Sequence, residues 1–321
     1  MILTFSQAVK EAIAAEMLVD PAVILIGEDV AHHGGMFQVT KGLLETFGEE
    51  RVIDTPISES GFVGAALGAA MTGLRPVVEL MFFDFSLVAM DQLINQLAKT
   101  TYMSGGVPVP LVIRTQGGGY KGAAAQHSQM LEALFVHMPG LKVVAPSTPQ
   151  DAYSMLREAI TDNNPVLFIE HKQMYGDQGE VETDRLSNWG RVRVARTGSD
   201  VTLISYSYTT KLCLEAAEVL AREGVSVEVI DLRFLNPLDF EGVAESVRKT
   251  HRVVIAHEAH ARCGIGADLA AQIQEKLFDE LDAPILRACA ADVPIPLPKN
   301  LEDEVLPTVE KIVQRVREVL A

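Results

Sequence analysis

Short apolar, β-branched runs alternate with longer stretches of helical period along this chain, and the alternation constrains the fold more than any other feature. The strand-like runs of a first series are AVILIG (22–27), RVIDTP (51–56), RPVVELMF (75–82), PLVIRT (110–115), LKVVAP (141–146) and PVLFIE (165–170). The helical stretches between them are residues 5–18, 61–72, 86–102, 128–137 and 149–160. Continuous apolar strands separated by helices are typical of parallel sheets covered on both faces.

A second series of the same kind follows a polar interruption. After Tyr175 the sequence GDQGEVETDRLSNWGR is rich in turn residues and has no period, so it is interpreted as a linker. The later strand-like runs are residues 200–207, 225–233 and 252–258, and the helical stretches are 208–223, 237–250, 266–281 and 305–320. The fold class predicted is α/β with two doubly wound domains, residues 1–185 and 186–321.

Composition excludes several classes of protein. The net charge of −16 repels phosphate backbones and no basic stripe offsets it, so nucleic-acid binding is not expected. No stretch approaches the roughly 18 uncharged apolar residues of a membrane span, and residues 1–17 lack the pattern of a signal peptide. The three cysteines are far apart and form no CxxC pair, which favours a reducing compartment. A soluble, cytoplasmic protein without a membrane or nucleic-acid partner is therefore expected.

Two local motifs suggest chemistry that their context does not support. Gly117, Gly119 and Gly122 match the GxGxxG dinucleotide pattern, but the next strand LKVVAP ends in Pro-Ser and lacks the acid that binds ribose. We interpret these glycines as a mobile loop bordering an active site. His257, Glu258, His260 and Cys263 resemble a metal cluster, but no second group of ligands lies near them in the sequence, so zinc is not expected.

The stretch from Ile53 to Phe85 carries the most information. Glu59 lies past the carboxyl end of a strand, where doubly wound sheets bind ligands, and it precedes the small-residue helix GFVGAALGAAMTG (61–73). On position alone, this carboxylate serves catalysis, an ion pair or the helix N-terminus. The helix is either deeply buried in its own domain or packed against another subunit near a cofactor, since small residues allow both.

At this stretch the chain resembles a known family. It is similar to the β subunits of thiamine-diphosphate-dependent 2-oxo acid dehydrogenases, of the pyruvate and acetoin type, over essentially its whole length. The motifs that carry the resemblance are IGEDVA (26–31), DTPISESGFVGAALGAAMTGLRPVVE (54–79), YMSGG (102–106), AAQHSQ (124–129), PGLKVVAPSTPQDA (139–152), DNNPV (162–166) and ADVPIPLPKNLEDEVLPT (291–308). The resemblance implies a pyrimidine-binding domain followed by a transketolase C-terminal-like domain.

The resemblance also assigns roles to residues. It implies that Glu59 holds a proton at the cofactor's pyrimidine ring and so promotes the imino tautomer that ionises the thiazolium carbon. Phe85 would stack on the pyrimidine, Met81 would line its pocket, and Glu28 would carry protons or hydrogen-bond the ring. His127, in AAQHSQ, corresponds to the family's active-site histidine, which orients the substrate and assists acyl transfer to a lipoyl group.

The metal motif of this class of enzymes is missing. In the family, Mg²⁺ on the diphosphate is bound by a GDG motif with an NN about 30 residues later, and no GDG occurs here. The resemblance therefore implies that a separate α subunit holds the diphosphate and Mg²⁺, within an α2β2 heterotetramer that also serves a dihydrolipoyl acyltransferase core. It further implies a possible K⁺ site at Leu111, Ala159, Ile160, Asp162 and Asn164, for which the alternative is ordinary helix C-capping.

The implied reaction is thiamine-dependent decarboxylation of a 2-oxo acid, or cleavage of acetoin, followed by reductive acylation of lipoyl groups. AAQHSQ favours the pyruvate and acetoin branch over a branched-chain 2-oxo acid enzyme, and ELMFFDF and EHKQMYG lean towards acetoin. Three alternatives remain: a NAD-dependent dehydrogenase, a non-catalytic scaffold subunit, and a half-transketolase that acts on sugar phosphates.

Overall fold

Two sheets built mainly from parallel strands organise the chain. A computed structural model describes residues 1–321, which divide into two units. The first unit comprises residues 1–117 and 134–189, and the second comprises residues 118–133 and 190–321. The segment 118–133 therefore groups with the second unit although it lies within the first half of the sequence. No helix is long and apolar enough to cross a membrane.

The elements up to residue 180 follow the predicted alternation. Their strands are β1 (Ile2–Thr4), β2 (Val23–Gly27), β3 (Val52–Asp54), β4 (Arg75–Leu80), β5 (Val112–Gly117), β6 (Lys142–Val144), β7 (Val166–His171) and β8 (Gln178–Glu180). Their α-helices are α1 (Phe5–Val19), α2 (Leu43–Phe47), α3 (Glu59–Met71), α4 (Ala98–Met103), α5 (Glu132–Val136) and α6 (Pro149–Thr161). Short 3₁₀ helices at Phe83–Leu87 and Lys172–Met174 and a π-helix at Asp91–Leu97 complete the set.

The first unit's sheet has a topological switch point. Six parallel strands run in the order β3-β2-β4-β5-β7-β6, and β1 and β8 form a separate antiparallel pair. In the sheet, β3 lies on one side of β2 and the next strand in the chain, β4, lies on the other side. The direction in which successive strands are added therefore reverses between β2 and β4. Ligands in doubly wound sheets bind in the crevice beyond the carboxyl ends of such strands. The ends at Gly27 and Leu80 therefore locate the candidate site.

The second unit has its own sheet. Its strands are β9 (Arg193–Arg196), β10 (Val201–Ser205), β11 (Val227–Asp231), β13 (Val253–His260) and β14 (Leu286–Ala290), in the order β14-β13-β10-β11-β9 with β9 antiparallel. A short strand, β12 (Phe234–Asn236), follows β11 in the chain. The helices are α7 (Ser207–Ala221), α8 (Phe240–Thr250), α9 (Ile265–Leu277), α10 (Lys299–Val305) and α11 (Val309–Leu320).

Apolar faces at helical spacing account for the packing. Phe5, Ala8, Val9, Ala12 and Ile13 are fully buried on one face of α1, which packs against α6. The second unit's core lies between α7, α11 and the strands, and Leu203, Ala216 and Val316 are all fully buried there. Burying side chains of this kind contributes about 1.5–3 kcal/mol for each Val or Leu relative to exposure.

Three predicted helices differ from those observed. The stretch 86–102 is divided among a 3₁₀ helix, the π-helix and α4, and 128–137 shortens to α5. The stretch 305–320 contains only the last residue of α10, and α11 begins at Val309. Pro307 lacks the N–H that helix continuation needs, and Thr308 then caps α11 by accepting from Lys311 N at 3.3 Å. Apolar periodicity marks helical content but does not reveal such interruptions.

Candidate active site

The expected cofactor residues surround the switch point. Glu28 follows β2 directly, Met81 follows β4 directly, and Glu59 is the first residue of α3, which follows β3. Glu28 and Glu59 are 5% and 7% exposed, so both carboxyl groups are almost out of water. The carboxyl ends of parallel strands meet at one edge, which explains why residues 53 positions apart in sequence gather here.

Glu28 is the most perturbed acid at this edge. Burial, followed by the charges of Glu59 and Asp29, raises the pKa of Glu28 to about 7, against a smaller opposing effect of the Ser58 backbone N–H. Its Oε1 atom is buried and has no hydrogen-bond partner. Glu28 therefore keeps its proton to a higher pH than an ordinary carboxyl group does. It can hold a proton where an aromatic ring would bind, and its Oε1 atom is an acceptor for that ring.

Aromatic and thioether side chains flank the acids. Met81 and Phe85 are partly exposed, whereas Phe83 is fully buried and stacks on Phe135 with ring centroids 5.5 Å apart. Phe82 packs edge-on against Phe85 at 5.6 Å. The 3₁₀ helix therefore turns Phe83 into the core, whereas Phe85 stays partly exposed beside Phe82. Aromatic and thioether groups beside two acids are chemically suited to hold a nitrogen-containing aromatic ring.

A buried network of ion pairs connects β4, β5 and β7, and it was not predicted from the sequence. Arg114 on β5 is fully buried and donates to both oxygens of Glu170 on β7, at 2.7 and 2.8 Å, and also to Glu79 on β4. Tyr175 donates to Glu170 at 2.7 Å. Burial and the charge of Glu170 raise the pKa of Glu79, although Arg114 opposes the shift. The sequence signal that could have predicted this network is the presence of charged residues inside otherwise apolar strand runs.

His127 lies on a long loop assigned to the second unit. Residues 118–131, here called the His127 loop, connect β5 to α5, and His127 is partly exposed within it. The glycines of the GxGxxG pattern occupy the end of β5 and the start of this loop. Because no helix begins until Glu132, they do not place backbone N–H groups at a helix N-terminus, as a dinucleotide pyrophosphate requires. These glycines therefore lie in a loop and not at a dinucleotide-binding helix N-terminus.

The residues around His257 are held by partners other than a metal. His257 is fully buried, its Nε2 accepts from Gly266 N at 3.2 Å, and it lies 3.3 Å from Cys289 Sγ. Burial lowers the pKa of His257 to about 4 and raises that of Cys289 to about 11. The pair is therefore neutral near pH 7. The Nδ1 atom of His260 contacts the Ala291 carbonyl at 2.7 Å.

Four of the five residues expected to bind K⁺ lie at the C-terminal end of α6 or just beyond it, whereas Leu111 precedes β5. Cationic side chains already reach two of them, Ile160 and Asp162. Arg75 Nη1 donates to the carbonyls of Ile160 and Asp162 at 3.1 and 3.2 Å, and the ammonium of Lys142 binds the Asp162 carboxylate. Burial raises the pKa of Asp162, but the hydrogen bonds from Lys142 and Asn164 outweigh burial and hold it below its usual value. Leu111 O accepts from a backbone N–H at 3.0 Å, and Ala159 O accepts from Asp162 N at 3.3 Å.

One face of the small-residue helix α3 is not covered by this chain. Gly61, Ala65 and Gly68 are exposed, whereas Phe62 and Ala66 on the other face are buried. Large apolar side chains are exposed elsewhere in the first unit. They include Ile57, Leu87, Val88, Tyr102 and Met103. An uncovered face of small residues is compatible with packing against another subunit, and that interpretation stays a prediction.

Comparison with known proteins identifies the family. Residues 2–178 match the family described as transketolase, pyrimidine binding domain, and residues 190–312 match transketolase, C-terminal domain. The mitochondrial pyruvate dehydrogenase E1 component subunit beta of Caenorhabditis elegans is 46% identical over 99% of this chain and 92% of its own length. The chain belongs to the E1 β-subunit family of pyruvate and acetoin dehydrogenases.

Other relatives agree with this membership. The acetoin:2,6-dichlorophenolindophenol oxidoreductase subunit beta of Cupriavidus necator is also 46% identical, over 99% of this chain and 97% of the relative. A solved structure described as a split-gene transketolase, an inactive β4 tetramer, superposes with a TM-score of 0.83 over 99% of this chain and 98% of its own. Its sequence is 22% identical, so it supports the fold alone. The family and fold class expected from the sequence motifs are confirmed.

Proposed function

We propose that this chain is the β subunit of a thiamine-diphosphate-dependent pyruvate or acetoin dehydrogenase. The observation that carries the proposal is the two buried carboxyl groups of Glu28 and Glu59 at the switch point, beside the partly exposed Met81 and Phe85. Bound there, thiamine diphosphate would supply a carbanion that attacks a carbonyl carbon and accepts the electrons of the cleaved bond. This sheet edge would receive the pyrimidine end of the cofactor.

Each residue has a distinct role in the proposal. Glu59 exchanges a proton with the pyrimidine nitrogen, and its buried position excludes water that would compete for that proton. Glu28, with a pKa near 7, donates or accepts at that same place and keeps one proton available to the pair. Phe85 and Met81 contact the ring faces. His127 orients the substrate carboxylate or keto oxygen and assists acyl transfer to a lipoyl dithiolane.

The proposal includes an α subunit that completes the site. The beta-subunit names of the relatives point to such a partner, and the chain offers no GDG motif for Mg²⁺ and diphosphate. The exposed small-residue face of α3 and the exposed Tyr102 and Met103 are surfaces on which subunits of an α2β2 heterotetramer can pack. A dihydrolipoyl acyltransferase core would receive the acyl group. A cytoplasmic location and a domain boundary at 185/186 stay predictions.

The K⁺ site stays a prediction with a direct test. The oxygens of Ile160 and Asp162 are suitable for a hard cation, but Arg75 and Lys142 already supply positive charge to them. A Tm higher in 100 mM KCl than in 100 mM NaCl would support K⁺ binding, whereas an equal Tm would mean that the two side chains serve in its place. Potassium is assigned no step in the reaction.

The experiment that tests the proposed function is recovery of the chain from its native lysate, followed by assays. We expect a stoichiometric partner that carries GDG with a downstream NN, and thiamine-dependent turnover of pyruvate or acetoin by the complex but not by the isolated chain. Faster turnover of branched-chain 2-oxo acids would favour the branched-chain alternative. Recovery of a bare homo-oligomer without such a partner would overturn the heterotetramer, and normal turnover with a Glu59→Gln variant would favour the scaffold alternative.

A further inference from the structure

The His127 loop adopts a backbone conformation that its own sequence disfavours. Four of its residues, Gly118, Tyr120, Gly122 and Ala124, have φ angles of 88°, 65°, 65° and 61°. Tyrosine and alanine are rare in this left-handed region, because the Cβ atom crowds the backbone there. Non-glycine residues remain in it only where the surrounding structure holds them. Some other part of the second unit must therefore fix this loop.

Two buried carboxylates provide that restraint. Glu258 Oε1, at the end of β13, accepts from the Gly119 N–H at 2.5 Å. Both oxygens of Glu302, on α10, accept from the Gly122 N–H, at 3.2 and 3.4 Å. Glu258 is 5% exposed and Glu302 is fully buried. Hydrogen bonds to an ionised carboxylate are roughly twice as strong as neutral ones, and burial strengthens them further.

Packing around the two bonds leaves little freedom. A Cβ atom at Gly119 would lie 2.6 Å from Leu306 Cδ1 and 3.1 Å from Glu302 Oε1. The Tyr120 hydroxyl donates to the Pro307 carbonyl at 2.8 Å, immediately after α10. The loop therefore lies against α10 and the residues that follow it, with its backbone amides facing carboxylates.

Stabilisation of the fold does not explain why Glu302 is buried. Its carboxylate has no cationic partner, and Gly122 N–H is its only hydrogen-bond donor. Burying a carboxylate costs more free energy than burying an apolar side chain of the same size. An acceptor fixed at one backbone N–H instead sets the geometry of the loop that carries His127, five residues further along the chain.

We infer that Glu258 and Glu302 are positioning residues that clamp the His127 loop, so that His127 is presented in one fixed conformation. The inference rests on the proposed function, in which His127 contacts substrate. Neither glutamate touches a reacting atom, and both act through the backbone amides of Gly119 and Gly122. Loss of a clamp would leave the chain folded but the imidazole misplaced, and misplacement by about 1 Å can cost on the order of 100-fold in rate.

The first test measures the loop without using activity. Lys121 is exposed and is the only Lys or Arg of the loop, so trypsin reports its opening by cleaving the full chain after residue 121. We expect Glu302→Gln to speed this cleavage about tenfold and Glu302→Ala more, because the charge-assisted bond is weakened and then lost. Glu304→Gln, an exposed residue on the same helix, is the matched control and should cleave like the wild type. Equal rates in all four proteins would overturn the clamp.

The second test uses the reconstituted complex and a double-mutant cycle. We expect Glu302→Gln to lower kcat/KM by about 10- to 100-fold in the wild-type background and to have no further effect in a His127→Ala background. Additive losses would show that Glu302 does not act through His127 and would overturn the inference. Full activity of His127→Ala alone would instead refute the role of His127 in the proposed function, while the trypsin result would still decide whether the clamp exists.

Discussion

Glu28→Gln should change how the stability of the chain depends on pH. The folded-state pKa of Glu28 is raised from 4.5 to about 7, so the folded chain binds this proton more tightly than the unfolded chain does. The favourable contribution is complete below pH 4.5 and is lost as pH rises through 7. The difference of about 2.5 in pKa corresponds to about 3 kcal/mol in full, of which about 2–3 kcal/mol falls between pH 5 and pH 8.

Urea unfolding followed by the fluorescence of Trp189, the single tryptophan, measures this effect. Glutamine cannot ionise, so between pH 5 and pH 8 the Glu28→Gln chain should gain about 2–3 kcal/mol relative to wild type. In Tm this is roughly 5–10 °C for a domain of this size. Glu50→Gln, which is exposed, should follow the wild type. If Glu28→Gln also followed the wild type at every pH, Glu28 would ionise normally and the proposed coupling with Glu59 would be wrong.

Three further outcomes follow from buried groups elsewhere. Arg114→Met leaves two carboxylates buried without their guanidinium and should lower the free energy of unfolding, measured in urea, by about 3–5 kcal/mol. A decrease of less than about 1 kcal/mol would show that the ion pairs do not hold these strands together. Iodoacetamide at pH 8 should label Cys263 first, because it is exposed whereas burial raises the pKa of the Cys289 thiol to about 11; mass spectrometry showing Cys289 labelled first would contradict this. Gly119→Ala should lower the Tm of the chain through overpacking worth about 1–3 kcal/mol, because the added Cβ would lie 2.6 Å from Leu306 Cδ1; an unchanged Tm would refute the close packing.

The alternation of strands and helices was readable from the sequence because buried parallel strands are apolar without interruption. β2, β4 and β7 fall within their predicted runs to within one or two residues at each end. The position of Glu59 at the start of a helix after a strand was equally readable. Glu28 was assigned to the cofactor only through the family resemblance, and its interaction with Glu59 was not predicted, because periodicity does not say which strands become neighbours in the sheet.

The polar contacts that hold the His127 loop could not be predicted from the sequence. Glu258 was considered only as part of a metal cluster, although its carboxylate binds a backbone N–H 139 positions earlier in the chain. Glu302 lay inside a family motif without a role of its own. Contacts of this kind form only when distant segments come together in the tertiary fold. They therefore produce no regular residue spacing from which they could be predicted. The division of 86–102 into three helix types was likewise hidden, since its apolar residues fit an uninterrupted helix.

We propose that Glu59 supplies the proton exchange that activates thiamine diphosphate. The rate at which the thiazolium C2 proton exchanges with deuterium, in the complex reconstituted with its α subunit, tests this role without depending on which substrate the enzyme uses. Glu59→Gln should slow this exchange by about 100-fold or more, while the cofactor still binds. Exchange as fast as in the wild type would show that Glu59 does not have this role.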